Sequence, residues 1–98
     1  MTSDPAREDE RQSLPGGDLV RQGVQDLQAG SVTIPALLVS IGAPRLRRAG
    51  LRVPAALDRP EHRLYEVLLR EHALTAHSRY NALVRRLVSF ERAAECAT

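Results

Sequence analysis

Lysine is absent from this chain, so all 14 of its basic residues are arginines. That absence excludes a Schiff-base lysine and a phosphate-loop lysine. Tryptophan is absent too, and two tyrosines and one phenylalanine supply the only aromatic rings, so a core has to be built from Leu, Val, Ile and Ala. A single cysteine, Cys96, cannot form an intrachain disulfide, and the expected setting is a reducing cytoplasm. The longest apolar stretch, Ile34 to Ile41, is interrupted by Pro35 and Ser40. It is far shorter than the roughly 20 residues a membrane-crossing helix needs. The first twelve residues are acidic and polar, without the basic start and apolar run of a secretory leader.

What is present is 98 residues, 43% of them hydrophobic, with a net charge of +2. That length supports one domain with one small core. Arginine in place of every lysine fits the codon usage of a GC-rich bacterial genome. The charge is unevenly spread: residues 1–30 hold three arginines and six acids, residues 31–98 eleven arginines and six acids. With Pro5, Pro15, Gly16, Gly17 and the acids Glu8, Asp9 and Glu10, residues 1–17 read as a disordered acidic arm. Residues 18–98 then form a basic helical body.

Within that body, Asp18 as N-cap and Gly30 just past the C-terminus bracket a first helix, with Val20, Val24 and Leu27 at helical spacing and Gly23 weakening its middle. A second helix opens near Ser31 or Thr33, places Ile34, Leu37, Leu38 and Ile41 on one face, and ends at Gly42. Pro44 opens a short third helix through Ala49, stopped by Gly50. Residues 51–57 are expected to be extended, because Pro54 disfavours helical geometry at Val53. Asp58 and Glu61 have capping-box spacing ahead of a helix that presents Leu64, Tyr65, Leu68 and Leu69 on one face. The last helix, from about Ala76 to Glu95, has the strongest pattern. At 100° per residue from Leu87, the side chains of Tyr80, Leu83, Val84, Phe90 and Ala94 fall within about 60°. Glu91 projects into this apolar arc, where it either snorkels or meets an arginine of another element. The expected fold is an all-α single-domain bundle of four to five helices behind the disordered arm.

No nucleophile elbow, phosphate loop or metal-ligand spacing occurs, so no catalytic residue, cofactor, metal or small-molecule substrate is expected. His62, His72 and His77 lack the partners a zinc site requires. Arg70 and His77 have the Arg-x6-His spacing that resembles the helical ribonucleases of the HEPN class, and the resemblance implies RNA cleavage by these two residues. Glu71 stands where that class carries Asn, Asp or His.

Two surfaces are expected to bind partners. The first is the apolar face of Tyr80, Leu83, Val84, Leu87 and Phe90, whose stripe is wider than one partner helix needs and is expected to be completed by another chain. The second is basic, formed by Arg45, Arg47, Arg48 and Arg52 with Arg85 and Arg86, and suits phosphates or an acidic protein. Ile34 to Leu51 bears a superficial likeness to helix-turn-helix. Small size, helicity and a charged arm fit a non-catalytic, antitoxin-like regulatory or accessory protein that binds a protein partner or itself. A helical DNA-binding regulator is the alternative, and a small HEPN-like ribonuclease a further one.

Overall fold

A computed structural model of the chain describes residues 13–97, in which four helices are joined by short connections and no strand occurs. They are α1 (Gly17–Gln28), α2 (Ile34–Arg48), α3 (Pro60–Glu71) and α4 (Ala76–Ala97). The arm expected over residues 1–17 lies mostly outside the described residues, but its last part is placed. Leu14 packs half-buried against the core, and its carbonyl accepts from the Gly17 N–H at 2.9 Å. The helical body therefore begins before Asp18, which sits in the first turn of α1 while Gly16 is the N-cap.

α2 is the central helix. Thr33 caps it, its Oγ1 accepting from the Ala36 N–H at 3.2 Å and donating to Asp26 Oδ2 at 2.6 Å, which also ties the end of α1 to the start of α2. Ala36, Leu37, Leu38, Val39, Ala43 and Leu46 are all fully buried along it. Burying each leucine is worth about 1.5–3 kcal/mol. That gain explains a departure from expectation: Gly42 does not end the helix and Pro44 does not start a new one. α2 runs unbroken through both. Interior Gly and Pro cost about 1 and 3 kcal/mol, yet apolar burial continues on both sides of them, and Pro44 itself faces solvent.

Gly42 also has a positional reason. A Cβ there would lie 2.8 Å from Glu91 Oε2 and 3.0 Å from Leu87 Cδ1, so a larger residue would push these side-chain ends aside where α2 and α4 meet. Gly23 lies between α1 and α2, where a Cβ would collide with the Pro35 carbonyl and Val39 Cγ2. Both glycines, expected to weaken or stop helices, sit at helix crossings.

α1 packs on α2, α3 packs on α2 and α4, and α4 touches the other three. The second half of α2 meets the second half of α4, where Gly42 lies against Leu87 and Arg45 against Glu91 and Glu95. Residues 51–57 cross back over α2 without regular structure. The Ser40 hydroxyl pins them, donating to the Ala36 carbonyl at 2.8 Å and accepting from the Leu57 N–H at 3.0 Å. The expected Asp58 cap is not formed. Arg59 is the N-cap, in the left-handed region at φ 44°, and no side chain caps α3. Pro60 occupies the first helical position, which moves the cap one residue past Asp58.

Candidate functional site

The residues expected to face a partner divide sharply. Leu87 and Phe90 are only 2% and 1% exposed and belong to the chain's own core. Tyr80, Leu83 and Val84 are half-buried. The wide stripe of α4 is thus largely consumed within one chain, because α1, α2 and α3 all press on this helix. The sequence pattern shows the width of the stripe but not how many neighbours cover it.

The basic residues divide as well. Arg45 grips α4: its Nε and Nη2 donate to the two carboxylate oxygens of Glu95 at 2.6 and 2.8 Å, and its Nη1 reaches Glu91 Oε1 at 3.4 Å. This is the partner anticipated for Glu91, which is buried on the α2-facing side of α4. Burial raises the Glu91 carboxyl above its ordinary value, with Arg45 pulling it down and Glu95 pushing it up. The hydrogen bond from Arg45 lowers Glu95 and in turn raises Arg45. Arg47 latches the following connection, donating to the carbonyls of Val53 at 3.3 Å and Pro54 at 2.8 Å. Arg86 lies 3.5 Å from Asp18. Arg48, Arg52 and Arg85 are exposed. The expected basic cluster is therefore partly structural, with Arg45 and Arg47 committed to the fold.

A second patch, of which only Tyr80 was expected to face a partner, lies on the seam between α3 and α4. Tyr65 and Tyr80, both half-buried, meet edge to face with ring centroids 5.6 Å apart, and the His77 ring stands 6.5 Å from Tyr65. Leu69, one turn along α3 from Tyr65, is 43% exposed. Leu74, in the turn between the helices, is fully exposed. Burial raises the Tyr80 phenol above its ordinary value, and the Glu61 carboxylate adds to the rise. The signal for this patch was the i, i+4 pair Tyr65 and Leu69. The four-residue apolar face of α3 reads as core, yet only Leu64 and Leu68 are buried.

Arg70 and His77 are exposed, one on the last turn of α3 and the other on the first turn of α4, where Asn81 Nδ2 is 3.3 Å from His77 Nε2. Glu66, one turn before Arg70, pairs with His62. Among the described residues no three His, Cys, Asp or Glu side chains converge as a metal site, and no helix is long and apolar enough to cross a membrane. The chain matches none of the family models, curated proteins or solved structures with which it was compared.

Proposed function

We propose that this chain is a small non-catalytic interaction protein, a regulatory or accessory subunit of the antitoxin-like kind, that binds a protein partner across the α3–α4 seam. The supporting observation is the meeting of Tyr65 and Tyr80 at the surface, extended by exposed Leu69 and Leu74. Both tyrosines of a ring-poor chain are placed there rather than in the core. Tyrosine is enriched at interface centres because it combines a large apolar face with a hydrogen-bonding tip. His62, Arg70 and His77 form an exposed polar margin nearby along the chain. A protein partner is favoured over a helix-turn-helix reading of Ile34 to Leu51, since that segment contains one continuous helix whose residues are largely buried.

The test is co-purification from the native host, with attention to the product of the adjacent gene. The double variant Leu69→Glu/Leu74→Glu should lose the partner while its unfolding midpoint stays within a few degrees of the parent, because neither side chain is in the core. Retention of the partner by this variant would sink the reading.

A further inference from the structure

The opposite face of α4 carries a charge arrangement that the seam patch does not use. Ser78, Arg79, Ala82, Arg85, Arg86, Ser89 and Arg92 are all exposed along this 22-residue helix. At 100° per residue, Arg85 and Arg92 share one flank and Arg79 and Arg86 the other, the two rows lying about 120° apart. Between the rows fall Ser78, Ala82 and Ser89, all small. No carboxylate occurs between Glu71 and Glu91. The two acids of α4, Glu91 and Glu95, lie on the α2 side under the grip of Arg45, although Glu95 also feels Arg48 and Arg92. Against the rows themselves stands Asp18, 3.5 Å from Arg86 in an exposed pair that a phosphate can displace. Arg79 donates to Thr75 Oγ1 at 3.0 Å, a bond as readily exchanged.

We propose that this solvent face of α4 docks along the major groove of duplex DNA. A bare cationic patch would suit any polyanion, but two arginine rows flanking a slim centre match two phosphate strands flanking a groove. The groove is about 12 Å wide and admits one helix of about 10–12 Å diameter. Small residues on the centre line let the backbone come close to the base edges, while the rows reach outward to the phosphates. The deep, narrow major groove of A-form RNA would not admit the helix. This surface is separate from the α3–α4 seam, so the two readings stand or fall independently.

The experiment is fluorescence anisotropy of the full chain with a labelled DNA duplex of about 20 base pairs, two helical turns, over a salt series. Log affinity should fall against log salt with a slope of roughly −3 to −4, about 0.9 for each of four phosphate contacts. Arg85→Ala/Arg92→Ala should halve that slope, and Arg79→Ala/Arg86→Ala should do the same from the other flank. Ala82→Trp removes no charge and sits in solvent, so it should leave the unfolding midpoint unchanged yet weaken duplex binding roughly tenfold by holding the helix off the base edges. Loss of binding by Leu69→Glu/Leu74→Glu would place the DNA on the seam and overturn the assignment. So would absence of salt-dependent duplex binding, parental affinity in Ala82→Trp, equal affinity for an RNA duplex, or stronger binding of polyglutamate than of DNA.

Discussion

Arg45 on α2 holds Glu95 on α4 by a two-pronged contact, Nε and Nη2 meeting the two carboxylate oxygens at 2.6 and 2.8 Å. The same guanidinium reaches the buried Glu91 one turn earlier. The two carboxyls respond oppositely, Glu91 being raised by burial and Glu95 lowered by its hydrogen bond. A native state that binds the Glu91 proton more tightly than the unfolded chain loses stability as pH rises from the ordinary carboxylate range through the raised value. The Glu95 contribution is present above that range and is lost as pH falls through its lowered value. Glu91→Gln should therefore gain on the parent as pH rises above the ordinary carboxylate range of about 4, while Glu95→Gln should match it in acid and fall behind near neutrality. Urea unfolding across this interval checks both, and a deficit for Glu95→Gln that does not change with pH would contradict the assignment.

Leu87→Ala should destabilise the isolated chain by roughly 2–5 kcal/mol, the range for emptying a buried leucine site, since Leu87 is a core residue of one copy. The loss should not depend on protein concentration. An unfolding midpoint that rises steeply with concentration would show that the Leu87 face is shared between chains.

The two crossing glycines should differ in cost. At Gly23 an added methyl meets the Pro35 backbone, which cannot move without separating α1 from α2, whereas at Gly42 it meets the ends of the Glu91 and Leu87 side chains. Gly23→Ala should cost about 1–3 kcal/mol even after the helix-propensity gain, and Gly42→Ala less. Denaturant midpoints of the two variants test the order, and a stabilised Gly23→Ala would refute the close crossing.

Ser40→Ala removes the hydroxyl that receives the Leu57 N–H. A part-buried donor left without its partner costs about 1–3 kcal/mol, and the connection over α2 should loosen before the helices do. Hydrogen exchange at the Leu57 amide should accelerate while Leu37 and Leu38 stay protected. Unchanged exchange at Leu57 would mean that other contacts hold the connection.

Local chemistry by itself determined the all-helical character of the chain and most element boundaries. Thr33 caps α2, Gly30 with φ 74° follows α1, Pro60 opens α3, and α4 begins at Ala76, each because a capping oxygen, a left-handed glycine, a fixed proline φ or a 3.6-residue period acts within a few residues. Glu91 also announced itself as an acid on an apolar face. Only the tertiary structure decided that Gly42 and Pro44 lie inside one helix, because burial on both sides of them outweighs their local penalties. It also decided which apolar residues were left at the surface. Leu87 and Leu69 carry the same side chain at equally regular spacing, yet the first is 2% exposed in the core and the second 43% exposed at the surface. It decided, too, that Arg45 serves the fold, since its partner is 50 residues away along the chain. Periodicity reports the direction in which a side chain points along its own helix, and the neighbour it meets there depends on how the other helices pack.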